Sequence, residues 1–180
     1  MHQRIGEYSV LLLQGTLDND NLGAIINKAN DLFSGEEGFM QCCSLKFVPS
    51  ENFALHAVEN VLSRKPAGSV KLNKLSLGFL LWLYCTNQLE KAISLAAQGK
   101  EFLLVIAAKD KKLASKALSK AKELGFREEK GLIEKNFREK LDSFIEHFRI
   151  SKNELRAFSH LPREKAVELL AIERQALLSL

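Results

Sequence analysis

The chain contains few of the residues that cross-link a small fold: of its 180 residues, three are cysteine, and one is tryptophan. Three is an odd number, and no two of these cysteines have the spacing of a zinc site, because Cys42 and Cys43 are adjacent and Cys85 lies in an apolar run. An unpaired cysteine in a core behaves as a small hydrophobic residue. We therefore expect three buried free thiols rather than disulfides or a metal centre.

Long hydrophobic runs are also missing. The longest uninterrupted apolar stretch, Leu77 to Cys85, is far shorter than the roughly 18 residues that a membrane-spanning helix needs. No apolar run of the signal-peptide type occurs near residue 1. The composition is 46% hydrophobic and 27% charged, which is typical of a folded globular protein. We expect a cytoplasmic protein with no membrane partner.

Motifs for catalysis are likewise lacking. The sequence has no glycine-rich phosphate loop, no GxSxG and no HExxH. His56 is the one histidine in a plausible catalytic setting, because a helix would place it with Glu59 and Asn60 on a polar face. A histidine beside a carboxylate still lacks a nucleophile and an orienting group. The sequence thus predicts a protein that is not an enzyme and needs no cofactor or metal, with a small enzyme using His56 as an alternative.

What the chain does have is helical periodicity, interrupted by three apolar runs that are typical of strands, at 8–15, 40–48 and 102–108. The run 102–108 does not alternate, which predicts a strand covered on both faces. Helices are predicted to begin near Asp18, Ser50, Leu72, Gln88, Asp110, Ser151 and Pro162, and one more to carry Phe137 to Phe148. The order predicts an α/β fold over residues 1–180: one compact domain, with a small mixed β-sheet packed with several helices and a C-terminal helical region.

Positive charge clusters in one turn of the sequence. Between Asn60 and Leu89 there is no acidic residue, whereas four cations surround the turn from Pro66 to Gly68. These candidate RNA-binding residues are Arg64, Lys65, Lys71 and Lys74. Clustered cations are sufficient to attract phosphates. A solvated loop would have the same composition, so both interpretations stay open.

A second basic feature is a lysine-rich helix. Lys112, Lys116 and Lys120 follow Lys109 at helical spacing and would form a ridge opposite Leu113, Ala117 and Ala121. Such a ridge either is a solvated face or contacts RNA. Neither basic feature contains interleaved aromatic residues, so sequence-specific reading of bases is not expected.

The last helix has an apolar arc wider than one core requires. We expect Leu169, Ile172 and Ala176 to pack inward. The candidate partner-binding residues are those on the other apolar positions, namely Val167, Leu170, Ala171, Leu177 and Leu178. A helix with two apolar stripes is either enclosed in its own domain or shared with another protein, and the pattern does not choose between these.

Several segments resemble the small kinase-binding subunit of the KEOPS complex, the family of PRPK-binding proteins. They are LHAVENVL around His56, NKLSLGFLLWLYCTNQLEKAI, and ISKNELRAF followed by AIERQALL. The resemblance covers roughly residues 50 to 180, whereas the first 49 residues match only in the order of elements. One departure is Gly78, where family members commonly carry a glutamate. Any contact made by that glutamate is not transferred to this chain.

The resemblance implies a non-enzymatic role in the threonylcarbamoyl modification of the tRNA adenosine next to the anticodon. Members of that family bind the small atypical kinase/ATPase subunit, support its activity and help to recruit tRNA through its 3′ CCA end. Their C-terminal helical region contributes to docking on the kinase. The resemblance therefore favours the interpretation in which the last helix of this chain contacts another protein. The expected partners are therefore the kinase/ATPase subunit and tRNA, and a stand-alone RNA-binding module is the alternative.

Overall fold

A computed structural model describes residues 1–33, 38–63 and 75–178. Within them one sheet is formed by the strands β1 His2–Ile5, β2 Tyr8–Thr16, β3 Gly38–Ser44, β4 Glu101–Ala108 and β5 Arg127–Glu128. The strand order is β1-β2-β4-β3, and β5 pairs with the end of β2 that β1 leaves open. Every pairing is antiparallel. The predicted α/β class is confirmed, but the sheet is antiparallel rather than mixed.

The helices surround this sheet. They are α1 Asn19–Leu32, α2 Glu51–Ser63, α3 Leu75–Leu83, α4 Leu89–Ala96, α5 Lys111–Glu123, α6 Leu132–Glu139, α7 Leu141–His147, α8 Lys152–Ala157 and α9 Arg163–Ala176. The helix predicted through Phe137 and Phe148 is two helices, because Lys140 between them has a non-helical φ of −124°. The strand predicted to reach Val48 ends at Ser44, where a turn begins. Among the described helices, none is long and apolar enough to cross a membrane.

Strand β4 is covered on both faces, as its unbroken apolar sequence predicts. Alternate side chains of a strand point to opposite sides of the sheet. Phe102, Leu104 and Ile106 pack with α1 and α5 in one cluster. Leu103 and Val105 belong to a larger cluster that contains residues of the remaining long helices, including α2, α3, α7 and α9. The sheet therefore has a thin helical layer on one side and a thick, aromatic-rich layer on the other.

Buried polar contacts fix the thick layer. Gln175 of α9 is 1% exposed and donates from its Nε2 to the carbonyl oxygen of Phe53 in α2, at 3.1 Å. The hydroxyl of Tyr84, just after α3, donates to the carbonyl of Ser44 at the end of β3, at 2.9 Å. Because a buried polar group without a partner is costly, these bonds specify how the helices and the sheet meet. They join elements far apart in the sequence.

Local capping sets several helix starts as the sequence predicts. Ser50 accepts a hydrogen bond from the amide of Phe53 at 3.1 Å. Asp110 accepts from the amide of Lys112 at 2.8 Å. Ser151 and Glu154 form the expected reciprocal capping box. Asp18 occupies the N-cap position of α1 but makes no side-chain capping bond.

Candidate functional site

His56 lies on the exposed side of α2. Its Nδ1 is 3.2 Å from Oε2 of Glu59, and both side chains are nearly half exposed. A pair at this spacing is common on helix surfaces and contributes little to stability when solvent surrounds it. A carboxylate neighbour orients a histidine but offers it no nucleophile to activate. His56 thus forms a solvent-exposed pair with a carboxylate, and the absence of catalysis stays a prediction.

The thiols lie where the sequence predicts for two of the three cysteines. Cys42 and Cys43 are fully buried and point to opposite faces of β3, whereas Cys85 is only partly buried. Burial raises the pKa of Cys42 to about 12 and the pKa of Cys43 well above its usual value. The thiolate is the form that reacts and binds metals. In the described residues, moreover, no three His, Cys, Asp or Glu side chains are grouped as a metal site.

The basic turn with Arg64, Lys65, Lys71 and Lys74 lies outside the described residues. It connects the end of α2 at Ser63 to the start of α3 at Leu75. Its RNA-binding role therefore stays a prediction from the sequence.

In the lysine-rich helix α5, Ala117 and Ala121 are buried against the sheet as expected, together with Ala114, whereas Leu113 is only half-buried. Lys112 and Lys116 are exposed on the opposite side. The two lysines near the end of the helix lie beside carboxylates. Lys120 forms an ion pair with Glu123 in the last turn, and Lys122 lies 3.8 Å from Glu128 of β5. The predicted ridge thus exists, but a carboxylate partly neutralises Lys120.

The face of α9 is not the predicted one. Val167 and Ala171 are 0% exposed and Leu170 is 2% exposed, so the expectation that they face a partner is wrong. They follow the same stripe as Gln175, whose bond to α2 fixes which side of the helix packs inward. Of the residues expected inside, Leu169 and Ile172 are half-buried and Ala176 is exposed. The hydrophobic pattern alone did not reveal the inward direction.

The end of α9 keeps an apolar surface. Leu177 is 67% exposed, the highest value among the large apolar side chains of the described residues, and Leu178 is half-buried. Of the five candidate partner-binding residues, these two alone are accessible. Their role in docking stays a prediction.

His147, at the end of α7, has a shifted pKa. The ring of His147 stacks on Phe47 with centroids 3.9 Å apart and planes 6° from parallel. Burial, followed by the positive charge of Lys91, lowers the pKa of His147 to about 4. This shift makes His147 neutral at neutral pH. Its Nε2 is buried and has no hydrogen-bond partner among the described residues.

Arg174 of α9 connects three helices. Its guanidinium forms an ion pair with Glu154 of α8, and its Nε donates to the carbonyl of Phe148 after α7, at 3.2 Å. Glu154 also accepts from the amide of Ser151 at 2.7 Å. The hydrogen bond from Arg174, followed by those with Ser151, lowers the pKa of Glu154 to about 2. The cluster holds α8 against α9.

A cleft of about 280 Å³, which no sequence motif indicates, lies beside β2. Its polar lining includes Glu51, Glu128, Lys130 and Glu134, which are too far apart in the sequence to form a recognisable motif. Gln14 also lines the cleft and is 8% exposed. Its side chain donates to Glu51 and accepts from the amide of Ile133, each at 2.9 Å. Because the amide nitrogen and the amide oxygen of Gln14 are both hydrogen-bonded, this side chain connects β2 to α2 and α6.

Comparisons with known proteins add no family. A scan against models of protein families matches none of them, and a search of curated proteins finds no match. Gly78, at which the family resemblance departs from this chain, is buried within α3. A glutamate at that position would need a buried partner for its charge.

Proposed function

We propose that the protein is the small, non-catalytic subunit of a KEOPS-type complex that makes threonylcarbamoyladenosine in tRNA. In this role it binds the small kinase/ATPase subunit in the cytoplasm and helps to recruit tRNA by the 3′ CCA end. The chemistry belongs to other subunits, so the chain itself requires no cofactor.

The observation that carries this proposal is the adjacency of the segments that resemble the family. AIERQALL contains Arg174 and Gln175, whereas ISKNELRAF contains Glu154. Arg174 pairs with Glu154, and Gln175 bonds to Phe53, which lies in α2 two residues before the LHAVENVL segment. Segments about 100 residues apart thus form one packed unit through buried or partly buried polar bonds. These bonds bring the segments that resemble the family together in one part of the fold, and this arrangement supports the proposal.

The exposed surface suits a binding protein. Lys112 and Lys116 offer cations to phosphates, and Leu177 offers an apolar contact at the end of α9. Phosphate contacts dominate the affinity of proteins for nucleic acids, and a few well-packed side chains near the centre of an interface carry most of its energy. The two kinds of surface fit a protein that joins tRNA to another protein.

A stand-alone RNA-binding module is the second candidate, and the lysines of α5 favour it equally. The two functions differ in the need for a protein partner. A small enzyme using His56 has less support, because the imidazole pairs only with a carboxylate in the described geometry. His56→Ala is therefore expected to leave modification of tRNA unchanged in the reconstituted complex.

The deciding experiment mixes the purified chain with a purified KEOPS kinase/ATPase subunit. Size-exclusion chromatography and a calorimetric titration would measure the complex, and ATP hydrolysis would be followed with and without the chain. Binding to a tRNA transcript would be compared with binding to the same transcript lacking CCA. A complex and a loss of tRNA affinity without CCA are expected. Tight RNA binding with no complex would instead establish the stand-alone module.

A further inference from the structure

Ion pairing divides the lysines of α5 into two groups. In the second half of the helix, Lys120 pairs with Glu123 and Lys122 lies near Glu128. In the first half, Lys111, Lys112 and Lys116 are exposed and form no ion pair within the described ranges. The second half is therefore partly neutralised, whereas the first half presents unpaired cations.

The acidic residue that directly precedes these cations in the sequence already has a hydrogen-bond partner. Asp110 is the N-cap of α5, and its Oδ1 accepts from the backbone amide of Lys112 at 2.8 Å. The positive end of the helix dipole stabilises that carboxylate. The nearby Lys109 pairs with Glu7 at 2.7 Å, so Glu7 also has a cation of its own. Neither carboxylate forms an ion pair with Lys112 or Lys116 among the described residues.

Hydroxyl groups lie beside the unpaired lysines. Ser115 and Ser119 are exposed and fall within about 60° of Lys112 around the helix axis, on the side away from the sheet. Lys112 and Lys116 are one turn apart, or about 6 Å along the axis. Lysine and serine are both common donors to nucleic-acid phosphates. The first half of α5 therefore presents a short row of phosphate donors.

The composition of this row distinguishes among anionic partners. Helices that lie on membranes insert aromatic or large apolar side chains beside their lysines. The exposed positions of α5 between Lys111 and Ser119 are Lys or Ser, with no aromatic or large apolar residue. Stable protein interfaces likewise need a buried apolar centre. The phosphodiester backbone of a nucleic acid is the anion that needs only charges and hydrogen-bond donors.

We infer that the first half of α5 binds the phosphate backbone of RNA through Lys112 and Lys116, with Ser115 and Ser119 as additional donors. The contact is independent of base sequence and separate from recognition of the 3′ CCA end. Taking RNA as the partner rests on the proposed function, but the contact itself requires no protein partner. Lys120 and Lys122 contribute less, because carboxylates lie beside them.

The test measures RNA affinity of the full chain at several salt concentrations. The probes are an oligouridylate, which has no structure and no CCA, and a tRNA transcript. The variant is Lys112→Gln with Lys116→Gln, and the control, matched in net charge, is Lys120→Gln with Lys122→Gln. The variant is expected to lose about tenfold in oligouridylate affinity at low salt, and its salt slope is expected to fall by about 1.4 units for two contacts. The control is expected to keep most of both.

Two parallel measurements separate this inference from the proposed function. Binding of each variant to the kinase/ATPase subunit is expected to equal that of the unmodified chain. If the chain forms that complex but the variant binds both RNAs with an unchanged salt slope, the inference is overturned and the proposed function stands. If the lysines carry RNA binding but no complex forms, the proposed function fails instead. Binding to phosphatidylserine vesicles without binding to oligouridylate would also overturn the inference.

Discussion

The three cysteines differ in burial, and we expect the two fully buried thiols to be unreactive in the folded protein. Cys42, with a pKa of about 12, and Cys43 are fully buried in β3, so their thiolates are scarce and inaccessible. We expect neither to react with Ellman's reagent in the folded protein at pH 8. Both should react at once in guanidinium. The double variant Cys42→Ser, Cys43→Ser should show the same labelling by Ellman's reagent in the folded state as the wild-type protein. Rapid native labelling of Cys42 would contradict the buried geometry.

Residues in left-handed conformation end three of the helices. Cys85 after α3, Gly125 after α5 and Arg149 after α7 have φ values of +47°, +94° and +52°. In each case the amide of the left-handed residue and the amide of the next residue donate to carbonyls of the last turn. After α7, the amide of Arg149 donates to the carbonyl of Glu146 at 3.0 Å, and that of Ile150 donates to the carbonyl of Ile145 at 2.9 Å. Glycine adopts this conformation without strain, but other residues do not. Of these three helix ends, the sequence predicts only the one at Gly125, because only there is the left-handed residue a glycine.

Arg149 offers a test of that strain because its side chain is exposed. Arg149→Gly should raise the free energy of unfolding by about 0.5 to 1 kcal/mol, since the left-handed conformation costs glycine nothing. Arg149→Ala, which removes the side chain but keeps the strain, is the matched control and should bring no gain. Urea unfolding of the three proteins would measure the difference. Equal stability of the glycine and alanine variants would show that the turn stores no strain.

At the scale of elements, apolar runs in the sequence predicted the central strands. The strands β1 and β5 instead form because they pair with β2. Strand β4 was evident from FLLVIAA because its own residues supply a two-sided core. Strands β1 and β5 have the sequences HQRI and RE, which lack an apolar pattern. They are strands because β2 provides free backbone groups at its edge. The break at Lys140 was equally invisible, since Phe137 and Phe144 keep helical spacing across it.

The candidate site was predictable in part for the same reason. The exposed face of α5 follows from the alternation of Lys with Ala, because alanines leave no doubt about which side is buried. In α9 both stripes are apolar, and the buried bond of Gln175 to Phe53 decides between them. That bond joins residues 122 positions apart, so no local pattern contains it.

The end of α9 provides a test of docking at the scale of one helix. Leu177→Glu places a charge on a side chain that is 67% exposed, so the isolated chain should keep its melting temperature. If Leu177 is a centre of the kinase interface, the variant should bind that subunit about 2 kcal/mol more weakly, as measured by calorimetric titration.

The matched control is Leu170→Glu in the same helix. Leu170 is 2% exposed, so the buried charge should unfold the domain or lower its melting temperature strongly. Normal kinase binding by Leu177→Glu would exclude the end of α9 from the interface. Normal stability of Leu170→Glu would contradict the orientation of the helix.

In the whole molecule, the two proposed surfaces are on opposite sides of the sheet. The alanines of α5 pack with Phe102 and Leu104 in the thin layer, whereas Leu170 of α9 belongs to the cluster that contains Leu103 on the other side. Helix α5 lies close to the sheet because alanine is small, and it leaves its lysines outward. RNA on α5 and a protein on the end of α9 would therefore not compete for the same surface.

Acid should destabilise the molecule in two successive steps. The pKa of His147 is about 4 in the folded protein, below its ordinary value of 6.5. The unfolded chain therefore takes up a proton between pH 6.5 and 4 that the folded chain excludes, and stability falls as pH falls through this window. Glu154 has a folded pKa of about 2, below 4.5, so its contribution is lost between pH 4.5 and 2.

Variants of these two residues should remove the steps one at a time. His147→Phe, which can keep a ring against Phe47, should flatten the loss of unfolding free energy between pH 6.5 and 4. The wild-type loss from this residue is at most about 3.5 kcal/mol, because one pKa unit is worth about 1.4 kcal/mol. Solvent at the half-buried ring makes the loss smaller than this limit. Glu154→Gln should instead lower stability at pH 7 and flatten the curve below pH 4.5, since the pair with Arg174 is already broken. Urea unfolding across pH would measure both; a His147→Phe curve parallel to the wild type from pH 6.5 to 4 would show that the histidine is not held neutral by the fold.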